Sequence, residues 1–153
     1  MDVLAEIRRL LDASKIPYKC WTHPECSTSE EGSLIRGTPL MSGAKALVFR
    51  SEGRFLMLIL SGDKQVDMRA LRMVLKAKSL SLATPDEAFQ VTHCTIGSIP
   101  PFGNLFGIPV YVDKSLWRNE TIYFNAGRHD TSIGMGIDDW ERVVKPIRVS
   151  VAQ

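Results

Sequence analysis

Two apolar runs, Ala44 to Arg50 and Arg54 to Leu60, stand back to back around Ser51-Glu52-Gly53. A short Gly-containing break between two such runs predicts a β-hairpin. Neither run alternates apolar with polar residues, and Phe55-Leu56-Met57-Leu58-Ile59-Leu60 is apolar without interruption. A half-exposed strand would alternate, so both strands are expected deep in a sheet. The remainder of a 153-residue chain must build around that hairpin, which leaves room for one domain, read as 1–153. Hydrophobic residues make up 44% and charged residues 24%, which excludes a disordered chain, a collagen-like chain and a coiled-coil rod.

The same apolar run is far shorter than the about 20 residues a membrane helix needs, so no membrane partner is expected. Met1-Asp2-Val3-Leu4-Ala5-Glu6 carries acidic residues where a secretory signal would be basic. Cys20, Cys26 and Cys94 form an odd set without a dense pattern, which reads as reduced thiols in a cytoplasmic protein. Nineteen basic against seventeen acidic residues give +2, too small an excess to indicate a phosphate partner by itself.

Around the hairpin the patterns are mixed. Val3, Leu4, Ile7, Leu10 and Leu11 recur at helical spacing, predicting an amphipathic helix from 2 to about 14. Tyr18 to His23 reads as a strand. Thr28 with Glu31, and Thr84-Pro85 with Glu87, have the reciprocal spacing of capping boxes and start two further helices. A helix near 67–77 carries Arg69, Arg72 and Lys76, with Lys78 beyond it. Gly97 to Gly107, rich in Gly and Pro, is a long shaped loop. Strands follow at 108–112, 121–125 and 131–137, then a short helix capped by Asp138, then an edge strand at 147–151. Strands and helices do not alternate strictly, so the fold class is α+β around a mostly antiparallel or mixed central sheet.

No nucleophile elbow, Walker loop, HExxH or dinucleotide fingerprint is present. Cys20, His23 and Cys26 fall at spacings of three, which invites a metal reading. On a strand, however, His23 points opposite to Cys20, Pro24 then redirects the chain, and only His93 or Cys94 could supply a fourth ligand. The preferred reading is no metal and no cofactor, with two half-buried thiols and a strand-end imidazole. Lys45 opens the apolar strand Ala46-Leu47-Val48-Phe49; it is either a strand-edge lysine reaching water or a cation at a cleft mouth. His129, between Arg128 and Asp130, is either a turn residue or a pocket group placed by the glycine before it. The loop Gly97-Ser98-Ile99-Pro100-Pro101-Phe102-Gly103 is either a connector or a stiff frame for an anion-stabilising site.

Taken in order, Thr28 to Glu31, Ala44-Lys45-Ala46-Leu47-Val48, Ser61-Gly62-Asp63-Lys64-Gln65-Val66-Asp67, Gly97-Ser98-Ile99-Pro100-Pro101, Ile108-Pro109-Val110-Tyr111-Val112-Asp113 and Asn125-Ala126-Gly127-Arg128-His129 resemble the motifs of one family. It comprises the YbaK-type and prolyl-tRNA synthetase editing domains, which are aminoacyl-tRNA deacylases. The motifs span roughly residues 20–145. The resemblance implies catalytic roles for Lys45, Gly97 and Pro101, and substrate-binding roles for Ser98, Gly127 and His129. It also implies a freestanding, in-trans hydrolase of the ester on tRNA mischarged with a small amino acid of the Ala, Ser, Thr or Cys class. Its partners would be the acceptor end of that tRNA and an aminoacyl-tRNA synthetase. Ala46 stands where many relatives that edit alanyl-tRNA carry Asn, which leaves the amino acid open.

An aminoacyl ester is activated, so its hydrolysis needs a placed water and oxyanion donors rather than a strong protein nucleophile. In similar enzymes a hydroxyl of the substrate's terminal ribose assists the water. Backbone N–H groups of the Gly97–Gly103 loop are the expected oxyanion donors, Pro100 and Pro101 having none to give. Lys45 is expected to position the tRNA end; Arg69, Arg72, Lys76 and Lys78 either offer it a basic face or form an ordinary solvated helix face. The rival readings are a non-catalytic module that holds a tRNA end or small ligand, and an interaction scaffold.

Overall fold

The computed structural model describes residues 1–153. Five helices, α1 (Val3–Ala13), α2 (Ser29–Arg36), α3 (Met68–Leu75), α4 (Pro85–Thr92) and α5 (Ile137–Val144), are interleaved with eight strands. The strands are β1 (Tyr18–Thr22), β2 (Ala44–Ser51), β3 (Arg54–Ser61), β4 (Ser81–Leu82), β5 (Val110–Asp113), β6 (Thr121–Asn125), β7 (Thr131–Gly136) and β8 (Ile147–Val149). This is a mixed arrangement of helices and strands, as expected, but the strands divide between two sheets. One is the antiparallel β1-β7-β6, and the other is β4-β2-β3-β5-β8. In the second, β2 pairs antiparallel with β3 and β4, whereas β3–β5 and β5–β8 are parallel. A parallel bridge between Gly43 and Tyr123 joins the end of one sheet to the other.

The hairpin of β2 and β3 lies inside the larger sheet, and both its faces are covered. Val48, Met57 and Ile59 enter the main core with α1 (Val3, Ile7, Leu11), Ile122, Phe124 and Trp140. Phe49, Leu56, Leu58 and Leu60 join Leu71 of α3 and Val151 in a second cluster on the opposite side. Successive strand residues point to opposite faces, so a strand buried on both needs an unbroken apolar run. Each side chain fully withdrawn from water in this way contributes about 1.5–3 kcal/mol.

Both capping boxes form. Thr28 accepts from the Glu31 N–H at 3.1 Å while Glu31 accepts from the Thr28 N–H at 3.1 Å. Thr84 and Glu87 do the same at 3.2 and 2.9 Å. Because Thr84 satisfies an otherwise orphaned helix donor, Thr84→Ala is expected to cost about 1 kcal/mol. A melting curve should show this as a drop of about 2–4 °C. Asp138 does not cap the last helix. Gly136 occupies that position, and the Ile137 N–H is satisfied by the Glu120 carbonyl at 2.9 Å. Asp138 instead sits in the first turn, where a carboxylate complements the helix dipole. The closing edge strand ends at Val149, because Val151 and Ala152 donate their N–H groups to the buried Asp113 carboxylate at 2.7 and 3.0 Å. No helix is long and apolar enough to cross a membrane.

Candidate functional site

Where the two sheets meet, a cleft of about 340 Å³ opens between the start of β2, the end of β6, the approach to α2 and the first residues of the proline-bearing loop. Each wall has a local cause. Ser27 to Glu30 are brought there by the α2 capping box, in which the Glu31 carboxylate also accepts from the Ser27 N–H at 3.0 Å. These backbone donors hold the Glu31 carboxyl below the usual carboxylate range. Gly97 turns with φ +94, and a Cβ there would lie 2.6 Å from the Ser27 carbonyl oxygen. The chain can pass that close only without a side chain.

Lys45 lines the cleft from the first turn of the apolar strand and is half-buried. It makes no salt bridge. Burial pushes its pKa down, opposed by the nearby charges of Glu30 and Asp63. Asp63 is itself committed to Arg118 through contacts of 2.8 and 3.2 Å. Glu30, which lines the same cleft, makes no salt bridge and is the nearest free negative charge, so the Lys45 ammonium faces the cleft with only a through-space carboxylate partner.

Gly97 shares this cleft with Lys45, together with Ile99. Other residues named from the sequence lie behind the walls. Pro101 is buried, and its carbonyl accepts from the Trp140 indole at 2.9 Å. Ser98 is buried; its hydroxyl donates to the Thr95 carbonyl at 2.8 Å and its own carbonyl accepts from the Gly127 N–H at 2.9 Å. Gly127 packs against α1, where a Cβ would come within 2.9 Å of Val3. His129 does not line the cleft. Its ring bridges Ser27 Oγ at 3.0 Å and Thr95 Oγ1 at 2.6 Å, fastening two segments that flank Gly97.

Within the loop, the Ser98 N–H is taken by the Thr95 carbonyl and the Phe102 N–H by the Pro100 carbonyl. The N–H groups of Gly97 and Ile99 have no such partner, so within this loop they are free donors beside the cleft. Eight polar residues not singled out as site residues also line it: Ser27 to Glu30 and Gln65, within or beside the motifs, and Arg36, Tyr123 and Asn125, from α2 and β6. Nothing local marks the last three, because α2 and β6 are brought together only by the tertiary fold. The metal spacing has a different use. Both ring nitrogens of His23 are hydrogen-bonded, Nδ1 to the Pro24 carbonyl and Nε2 to Ser132 Oγ, each at 2.7 Å. Cys26 is buried against Asn125.

Relatives carry the same architecture. The crystal structure of a hypothetical protein superposes with a TM-score of 0.88 at 17% identity, covering 97% of this chain and 99% of that one. A crystal structure described as a candidate trans-editing enzyme for prolyl tRNA synthetase gives 0.87 at 19% identity, over 100% and 98% of the two chains. By sequence, the chain is 34% identical over 142 residues to the multifunctional Ser/Thr-tRNA deacylase ProXp-y of Escherichia coli (strain K12), which spans 90% of this chain and 85% of that protein. It is also 31% identical over 72 residues to the proline–tRNA ligase of Geobacillus thermodenitrificans, 47% of this chain but 13% of the ligase. The family model of the aminoacyl-tRNA editing domain matches residues 23–143, which take in the whole cleft from Ser27 to Asn125, and the chain belongs to that family.

Proposed function

We propose that this cleft hydrolyses the ester between a small amino acid and the terminal ribose of a mischarged tRNA, acting in trans. The observation that carries the reading is the meeting of a Lys45 ammonium that makes no salt bridge and the Gly97 bend in one cleft of a chain from the editing family. A volume of about 340 Å³ suits an aminoacyl group and part of its sugar. Ser29, Gln65 and Tyr123 give the lining hydroxyl and amide groups that no other hydrogen bond already takes. That chemistry favours a hydroxyl-bearing side chain, seryl or threonyl, over an alanyl one. A site built to hydrogen-bond a hydroxyl discriminates strongly against the analogue that lacks it.

In the step itself, a water oxygen adds to the ester carbonyl carbon and the carbonyl oxygen becomes an oxyanion. The tetrahedral intermediate then expels the ribose oxygen, which takes a proton as the free amino acid leaves. The unpartnered N–H groups of Gly97 and Ile99 are the oxyanion donors, each worth about 100- to 1000-fold in rate. Lys45 positions the tRNA end through its charge. A hydroxyl of the terminal ribose, rather than a protein base, assists the water. Arg69 and Arg72 of α3, with Lys76 and Lys78, are exposed and unpaired, and α3 begins three residues after Gln65 on the cleft wall. They offer a phosphate-binding face continuous with the cleft, and binding should weaken steeply with salt. The chain would act in the cytoplasm, correcting the product of an aminoacyl-tRNA synthetase.

The test is a deacylation panel in which seryl-, threonyl-, alanyl- and cysteinyl-tRNA are compared side by side. Turnover of the hydroxyl-bearing pair above the other two is the expected result. Tight binding with no turnover of any member would reassign the cleft to holding a tRNA end.

A further inference from the structure

We propose that Arg36 is a positioning residue for this reaction, holding the Gly97 bend in place through the side chain of Asn125. The proposal rests on the function given above. Arg36 closes α2, yet its guanidinium turns inward and lines the cleft. Its path is cleared by Gly32, one turn earlier and buried: a Cβ there would lie 2.8 Å from Nη1 of Arg36. Glycine inside a helix is a destabilising choice, and here it makes the space the guanidinium occupies.

Having turned inward, the guanidinium meets no carboxylate. Burial pushes its pKa below the ordinary arginine value. A half-buried cation without a counter-ion is unfavourable for folding alone, so its retention calls for another role. Two of its donors are spent on neutral oxygens, Nε on Ser132 Oγ at 2.9 Å and Nη2 on Asn125 Oδ1 at 3.2 Å.

Asn125 is the connection to the bend. Its amide nitrogen donates to the Cys26 carbonyl and to the Gly97 carbonyl, both at 2.9 Å. Were the amide turned over, its oxygen would face two carbonyls and its NH₂ would face the guanidinium. Every contact would then be repulsive, so the two carbonyls and the guanidinium agree on one sense of the amide, and Arg36, by holding Oδ1, anchors the side chain that holds Gly97. The guanidinium meets these two oxygens, Ser132 Oγ and Asn125 Oδ1, 3.4 Å apart, with separate donors fixed in one plane, whereas a lysine ammonium would meet both from one rotating centre and hold the amide less firmly.

The experiment combines kinetics with hydrogen exchange on the full chain. Arg36→Met should lower kcat by about 10- to 100-fold with KM changed less than about 3-fold, the scale of a small misplacement at a reacting centre. Asn125→Ala should do the same, and the double variant should be no slower than either single one, because both act through one contact. Arg36→Lys retains the charge and the fold but should remain slow. Guanidinium ion at non-denaturing concentration should restore Arg36→Ala and leave Asn125→Ala unchanged. In parallel, amide exchange across Gly97 to Ile99 should accelerate in Arg36→Met while β3 stays protected. This arm can be read even if the chain deacylates nothing, which separates failure of the present inference from failure of the assigned activity. Multiplying losses in the double variant, full activity of Arg36→Lys, or unchanged exchange across the bend would each overturn it.

Discussion

Lys45→Ala should reduce deacylation by about 100-fold or more, the scale on which a preorganised charge at a reacting centre acts, while leaving the fold intact. The two halves of this expectation have one cause. The ammonium has no salt-bridge partner and is held half-buried at the cleft, so in the resting protein its charge is an electrostatic cost. Removing it relieves that cost, and the melting temperature should stay level or rise slightly. A structural lysine behaves in the opposite way, because its loss leaves a carboxylate unpaired and lowers stability. Turnover by Lys45→Ala within about 3-fold of the parent would remove the residue from the mechanism.

Lys45 also sets a pH signature. Burial lowers its folded-state pKa below the value in the unfolded chain. As pH rises through that lowered value the ammonium is lost and kcat/KM should fall, after subtraction of spontaneous ester hydrolysis. Between its folded and unfolded pKa values Lys45 binds more protons in the unfolded state, so its contribution to stability rises with pH across the same window. The Lys45 contributions to activity and to stability should therefore move in opposite directions on the alkaline side. In Lys45→Ala the activity slope should vanish, and stability should fall with pH, because the Cys94 thiol, pushed up to about 11 by burial, and the raised Tyr18 phenol hold their protons longer in the folded state. An alkaline limb that persisted unchanged in the variant would have to belong to another group.

The sequence patterns that prove readable are those whose cause is local. The hairpin at 44–61 follows from its unbroken apolar run, and the starts of α2 and α4 follow from reciprocal Thr–Glu contacts three residues apart. Division of the strands between two sheets has no such local cause. It depends on β1 finding β7, with Tyr18 opposite Met135, and no nearby residue encodes that pairing. The site divides along the same line. Lys45 and Gly97 are visible as a cation in an apolar strand and a glycine in a stiff loop. Asn125 is visible only as the first residue of a turn whose histidine is the more conspicuous group, yet it is Asn125 that lines the cleft while His129 braces Ser27 behind it. For Arg36 the sequence holds one hint, the glycine four residues earlier in the same short helix. Its meaning emerges only when Asn125 and Ser132 are seen opposite.

Gly97→Ala should be the most damaging single-atom change in the chain for activity. Two penalties combine there. The φ of +94 is one that L side chains rarely adopt, a strain of about 1–3 kcal/mol. The added Cβ would also sit 2.6 Å from the Ser27 carbonyl oxygen and 2.9 Å from the Ser27 Cα, backbone atoms that cannot rotate away. Either the bend or Ser27 must shift, and both line the cleft. A shift of the bend carries the Gly97 N–H off the oxyanion position and stretches the 2.9 Å bond from Asn125, so about a 100-fold loss in kcat is expected. Gly107→Ala separates strain from collision. That glycine has φ +70, but an added methyl group would meet nothing within 4 Å, and it lies outside the cleft. It should lose about 1 kcal/mol of stability from conformation alone and keep its turnover. If Gly97→Ala were to track Gly107→Ala, with a modest drop in melting temperature and deacylation intact, the bend would be only a connector. The oxyanion donors would then have to be sought elsewhere in the cleft, at the unpaired N–H groups of Ser29 and Glu30 that open α2.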